Sequence, residues 1–472
     1  MERSGTVQYT GHPFVDVGVA VMEIHLEKPC EEFTKQDLKE AADWLLRNYK
    51  RADLKGYLTV HFPNSGWCNA TIKGEKQAAY VQKVLHSYSA DPIEPQRKCA
   101  FCDRSAQFLA DRQHVPLLTG ATVIVTAPGG VTGLPVCGYC LMAVQFYPLA
   151  TIKVEGKPLF WWTPEPDFTH ALVENLYEEV QKNLAGSVEK FESLRWPCTR
   201  LLRSAEKVLE TYPKEKPLAD CIGYHVTNYG SGPDYDQYYI PKELLTFWQE
   251  VKIASQPVRE AHQWVVNTSW DSGKKKRAGN KREAESISQE IDKDKSGNRY
   301  YEALGQAFKS PDWHYKIPDI VSRFFFQRDP QHFHRNNYEL CKRFLRKVGG
   351  MDQKRLDAIQ EVADCIITHL VLGNNEMNWL KNLYRKNPGN KEFVRYLVKV
   401  QKKLSELGHA FSYQKVLDML DIPSAEEYWH NNMWLVRDLM LIRMLEQVAL
   451  QKKEMLSALE EDELDSDDQS EE

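Results

Sequence analysis

Long apolar runs are missing from this sequence: no stretch of about 18 residues is hydrophobic enough to cross a bilayer. Its first residues, MERSGTVQYTGHPF, lack an apolar segment behind a basic patch, so no secretory leader is expected. The familiar catalytic signatures are missing too: no P-loop, no G-x-S-x-G, no H-E-x-x-H and no kinase set. Glu178-Glu179 reads as ordinary helical surface, and His332-x-His334 has no acidic cluster beside it to complete a metal site. Internal repeats are not visible. Together these absences leave a non-enzymatic cytoplasmic protein without a membrane partner as the expectation.

Positive charge is scarce only on paper. The net charge of −5 over 472 residues rests on the last thirteen, EEDELDSDDQSEE, which hold nine acidic and no basic side chains. Without them the chain stands at +4. The folded part is mildly basic, and where that charge sits matters more than its sum. The tail at 460–472 reads as disordered, either a solvated end or a mimic of nucleic acid.

What is present begins with cysteine. Four of the ten cysteines form two C-x-x-C pairs, Cys99/Cys102 and Cys137/Cys140. Each turn brings two sulfurs within reach of one tetrahedral ion, with Zn–S about 2.3 Å, and two such turns close a Cys₄ site with no open position for chemistry. A redox pair would need a thioredoxin-like context, which is absent, and in a reducing compartment such pairs favour metal over disulfide. The reading is a structural zinc knuckle. The 34-residue spacer exceeds the usual ribbon spacing, and ATVIVTAP within it suggests extra strands between the knuckles. Cysteines 30, 68, 198, 221, 341 and 365 stand singly and read as core.

Around the knuckle the chain divides by texture. Residues 1–96 read as an α/β lobe. Val17, Val19 and Val21 within Phe14–Leu26 have strand spacing, and GYLTVHF is a second strand candidate. Between them Thr34 caps a helix bearing Leu38, Ala41, Ala42, Leu45 and Leu46. Residues 97–145 form the zinc insert. Residues 146–350 are a mixed body with helices near 168–185 and 187–211 and a flexible basic loop at 271–298. Residues 351–459 read as an all-helical bundle: Asp352 caps a helix to Leu372, a second covers 376–386, and Asn390 caps 391–407 before Gly408. Ser412 caps a short fourth helix, and the box SAEE at 424–427 opens a long fifth. The expected fold class is therefore multidomain α+β, a mixed N-terminal body followed by a bundle.

The bundle carries the strongest charge signal. Phe393, Leu397, Val400, Leu404 and Leu407 make an apolar stripe, while Lys391, Arg395, Lys399 and Lys402/Lys403 make a basic ridge on another face. Between 381 and 403, with Lys381 and Arg385, eight basic residues face one acid, Glu392. Solvated faces usually interleave signs, so one sign points to a phosphate backbone. Lys274, Lys275, Lys276 and Arg277 in the flexible loop read as phosphate contacts or as a solvated spacer. In TNYGSGPDYDQYY, Gly230 and Gly232 allow close backbone approach, and Asn228, Tyr229 and Gln237 offer donors and a stacking face; the plainer reading is a β-turn with surface tyrosines.

The N-terminal YTGHPFVDVGVAVM, the paired C-x-x-C motifs, the NYGSGPDYDQYYIP loop and the helical C-terminus together resemble the CRISPR-associated CxxC–CxxC family. Its members are large subunits of type I-B Cascade, the crRNA-guided surveillance complex, and the resemblance covers most of the chain. It implies a non-catalytic protein that reads the PAM in duplex DNA, promotes R-loop formation and recruits a helicase-nuclease. The implied partners are crRNA, target double-stranded DNA, the backbone, handle-end and small subunits, and that nuclease, in a prokaryotic cytoplasm. The bundle is similar to a Cascade small subunit, and initiation at Met351 would release it as 122 residues, 351–472. The rival readings are a metal-dependent DNA nuclease acting alone and a zinc-stabilised scaffold without nucleic-acid contact.

Overall fold

The computed structural model describes residues 7–51, 54–94, 96–118, 120, 132–185, 194–227, 233–271, 293, 295–385, 390–420, 429–456 and 459. Two compact units emerge, Met1–Leu245 with Asp271–Gly297, and Thr246–Trp270 with Asn298–Glu472.

The strand expected at Phe14–Leu26 is helix α1 (Pro13–Leu26). Nine consecutive residues, Phe14 to Met22, are buried, so no polar face marks a 3.6-residue period and the alternating valines imitate a strand. Pro13 enters at the first turn with its φ preset. Asp16, buried in that turn, accepts bonds from the Thr10 amide (2.7 Å), the Gly11 amide (3.1 Å) and Trp162 Nε1 (3.0 Å). Burial raises its pKa despite these donors.

Helix α2 (Lys35–Tyr49) starts where Thr34 predicts, and Asp37 completes a capping box with it. The second expected strand is α3 (Lys55–His61), whose buried Tyr57, Leu58 and His61 have helical spacing. Seven residues are too few to display that period in sequence. Its inner face is fixed by hydrogen bonds, from Tyr57 Oη to the Thr151 carbonyl (2.9 Å) and between His61 Nδ1 and Tyr147 Oη (2.7 Å). Helix α4 (Glu75–His86) follows. The lobe expected to be α/β is thus helical, with no strand among the described residues of 1–96.

Strands β1 (Phe108–Ala110) and β2 (Leu134–Val136) pair antiparallel and lead into α5 (Gly138–Phe146). The segment ATVIVTAP lies outside the described residues. Helix α1 packs on α5 so closely that a Cβ at Gly18 would fall 1.8 Å from the Ala143 carbonyl oxygen. An antiparallel sheet of order β3-β4-β5-β6 is built from β3 (Ile152–Val154), β4 (Lys157–Trp162), β5 (Cys221–Thr227) and β6 (Asp234–Ile240). Between β4 and β5 come α6 (Pro166–Ala185) and α7 (Pro197–Leu209). The latter starts ten residues later than the expected 187, at a proline that suits a first turn. In the sheet Phe160, Tyr224 and Gln237 share one register and one face.

Helix α8 (Lys242–Lys252) crosses from the first unit into the second. The regular elements among the second unit's described residues are helices, beside an isolated Trp270–Asn298 bridge: α9 (Gln256–Thr268), α10 (Arg299–Phe308), α11 (Ile317–Ile320) running into a π-turn at Val321–Phe325, and α12 (Tyr338–Lys347). Then come α13 (Gln353–Ile366) with a π-turn at Ile367–Leu372, α14 (Asn378–Arg385), α15 (Asn390–Glu406), α16 (Tyr413–Leu420) and α17 (Trp429–Gln451). Asp352 accepts from the Lys354 amide at 3.1 Å, the cap the sequence predicts, and Gly408 has φ 78° past the end of α15. Residues 424–427 lie outside the described residues. The buried carboxylate of Asp438 on α17 accepts from Ser322 Oγ (2.6 Å), Arg328 Nη2 (3.1 Å) and Arg437 Nη2 (2.7 Å). Two of those three partners precede Met351. No helix of the described residues is long and apolar enough to cross a membrane.

Candidate metal centre

The first C-x-x-C turn is a narrow loop closed by the Lys98–Ser105 bridge. The Cys99 amide donates to the Arg104 carbonyl (2.6 Å), the Phe101 amide to Cys99 Sγ (3.4 Å), and Asp103 takes a left-handed φ of 62° to turn the chain. The second turn is a helix start. Cys137 caps α5, and its sulfur accepts from the Cys140 amide at 3.4 Å. Two backbone bonds clamp the turns together, Ala100 to the Pro135 carbonyl (2.9 Å) and Gln107 to the Val136 carbonyl (3.0 Å). Gln107 Oε1 also accepts from the Gly138 amide (3.0 Å).

This scaffold brings all four sulfurs within 4.8 Å of one another, with Cys102 Sγ and Cys137 Sγ 3.5 Å apart. A disulfide would need about 2.05 Å. Sulfurs around a tetrahedral ion at about 2.3 Å stand about 3.8 Å apart, so the spacing is that of a metal cage. Cys99, Cys137 and Cys140 are buried and Cys102 is half-buried. Hydrogen bonding from Cys102, Cys137 and Cys140 drives the Cys99 thiol far below its usual range. Cys137 and Cys140 are pushed far above it, first by their bonds with Cys102. Cys102 is lowered as well, by bonds with Cys137 and Cys140, so the four clustered thiols lose their last protons only against repulsion and burial. A divalent cation removes that obstacle, and the donor set fits a borderline-soft one. With four protein ligands the cage has no open position for substrate.

The cage also holds the N-terminal motif. The Phe101 ring stands 4.4 Å from the His12 ring, and Arg104 Nη2 donates to Gln8 Oε1 at 2.8 Å. A second group of ligand atoms comprises Glu23, Cys30 and Glu31, of which Cys30 is buried as expected. Glu23 is already engaged there, accepting from Tyr9 Oη (2.7 Å) and the Cys30 amide (2.8 Å). Of the other lone cysteines, 198, 221 and 341 are buried while 68 and 365 are half-buried.

The expected nucleic-acid residues are placed unevenly. Lys391, Arg395, Lys399 and Lys402 are exposed along α15, opposite buried Phe393, Tyr396, Leu397, Val400 and Leu404. None of the four has an ion-pair partner among the described residues, whereas Lys403 lies 3.6 Å from Glu376. Val394 and Val398 stand exposed between them, Val398 at 64%. Lys381 is half-buried on α14, and Arg385 ends that helix. Gln237 is exposed on β6 beside Tyr235 and Tyr239. Asn228, Tyr229, Gly230 and Gly232 lie outside the described residues, as do Lys274, Lys275, Lys276 and Arg277. No family model, no curated protein and no solved structure matches the chain.

Proposed function

We propose that this chain is a non-catalytic large subunit of a crRNA-guided surveillance complex of the type I-B Cascade kind. In this reading it contacts PAM-bearing duplex DNA, helps exchange DNA pairing for RNA–DNA pairing, and hands the opened target to a helicase-nuclease. The metal in the cysteine cage is zinc, serving as a brace and not as a reagent.

The observation that carries the reading is the mainly basic exposed face of α15, where Lys391, Arg395, Lys399 and Lys402 outnumber Glu392 and Glu406. These four exposed cations make no ion pair among the described residues and repel one another, a cost that a phosphate backbone removes by replacing condensed counterions. The two exposed valines among them suit contact with sugar and base edges. Pairing exchange in an R-loop is nearly balanced, so a few backbone contacts to one strand can tip it. The open tyrosines on β6 add a stacking surface of the sort that holds unpaired bases.

The test is charge reversal of Lys391, Arg395 and Lys399 together, read as target-DNA binding by the assembled complex over a salt series. Affinity should fall and the slope of log K against log salt should shrink by about 3. Unchanged affinity and slope would overturn the reading in favour of a zinc-braced scaffold. The nuclease alternative predicts cutting of labelled DNA by the purified chain with Mg²⁺ or Mn²⁺, abolished by one carboxylate substitution.

A further inference from the structure

Between α6 and α7 lies a cavity of about 460 Å³, within the usual range for small-molecule sites. Its walls come from matching helical faces. Asn175, Glu178, Glu179 and Lys182 on α6 face it, as do Arg200, Arg203, Ser204 and Lys207 on α7, in both helices at steps of three and four. The apolar side is Ile152, Leu176 and Leu194, with Trp161 behind them. Asn175 Nδ2 reaches Ser204 Oγ at 3.4 Å across the floor.

Four cations against two carboxylates give the lining a positive balance. Arg200 contributes field and rigidity, because its guanidinium donates to the carbonyls of Arg195 (3.2 Å), Lys293 (2.9 Å) and Ser296 (2.9 Å). Lys182 and Lys207 reach out at the mouth; Lys182 comes no nearer than 4.0 Å to Glu178, with both side chains mostly exposed, a pairing of little strength. Arg203 Nη1 makes a 3.3 Å bond to the Lys293 carbonyl beside them. An acyl anion would satisfy the cations and the apolar wall but leave the polar Asn175 and Ser204 of the floor facing hydrocarbon, while Glu178 and Glu179 stay exposed to water. A nucleoside phosphate satisfies all three: a flat ring against the aliphatic wall, the polar edge of base or ribose for Asn175 and Ser204, and phosphate for the lysines.

We propose that this cavity binds a nucleoside phosphate, its base against Ile152, Leu176 and Leu194 and its phosphate toward Lys182, Arg203 and Lys207. The source is either a free nucleotide or the phosphorylated end of a strand, which share this chemistry. The proposal stands apart from the α15 reading, and its test uses the purified full chain without guide or target.

Calorimetric titration with AMP and ATP forms one arm; a short oligonucleotide with a 5′-phosphate, against the same oligonucleotide with a 5′-hydroxyl, forms the other. Saturable binding in either arm is expected, weakened about tenfold or more in Lys182→Glu with Lys207→Glu, two surface changes that leave the melting temperature in place. Ser204→Phe, which fills the floor, should abolish it. Binding of mononucleotides alone identifies a free nucleotide, and preference for the 5′-phosphorylated strand identifies a strand end. Absence of saturable binding in both arms, or binding that neither variant alters, overturns the proposal.

Discussion

At the scale of single residues, two helical glycines make opposite demands. Gly18 exists because α1 and α5 touch backbone to backbone, and an added methyl there meets a carbonyl oxygen that neither helix can move alone. Gly18→Ala should lower unfolding stability by about 3 kcal/mol, the upper range for overpacking. Gly56 on α3 has nothing within 4 Å of an added Cβ and is exposed. Gly56→Ala should therefore raise stability by roughly 0.5–1 kcal/mol, through helix propensity alone. Denaturant titration of both variants checks the pair, and equal effects would contradict the packing assigned to α1.

At the scale of elements, the cysteine cage is the junction of a hairpin turn and a helix cap. Stripping its metal should release the bonds that hold those two turns together. Hydrogen exchange after treatment with a strong chelator should show the amides of Cys99, Ala100 and Gln107 losing protection while α17 keeps its own. Elemental analysis of the untreated chain should find one zinc, and Cys102→Ser should reproduce the chelated pattern. This cage was legible in advance because C-x-x-C spacing constrains geometry locally. So were α2, α13 and α15, whose caps at Thr34 and Asp352 and stop at Gly408 are chemical signals. Helix α1 was not, since burial on every side erases the polarity contrast that periodicity needs, and α3 was too short to show one. The cavity between α6 and α7 was invisible for another reason: its walls join residues at helical steps on two elements whose facing only the fold sets.

At the scale of the whole molecule, protonation ties stability to pH. His61 is buried against Tyr147 and Thr151, and burial lowers its pKa from 6.5 to about 3. The folded state therefore holds fewer protons than the unfolded one between those values. Its stabilising effect is complete above pH 6.5 and is lost as pH falls toward 3. From pH 7 to pH 5 this group alone should cost about 2 kcal/mol; the buried His114 and His225 shift the same way. Unfolding of the first unit, followed by tryptophan fluorescence at the two pH values, should show that loss, and His61→Gln should reduce it.

The path of the chain adds an order in time. Arg200 belongs to the first unit, yet the Lys293 and Ser296 carbonyls that fix its guanidinium come after Thr246–Trp270, a stretch of the second. A ribosome delivers those acceptors more than ninety residues late. During synthesis α7 must wait with its guanidinium in water, and the first unit is finished only when a piece of the second has already emerged.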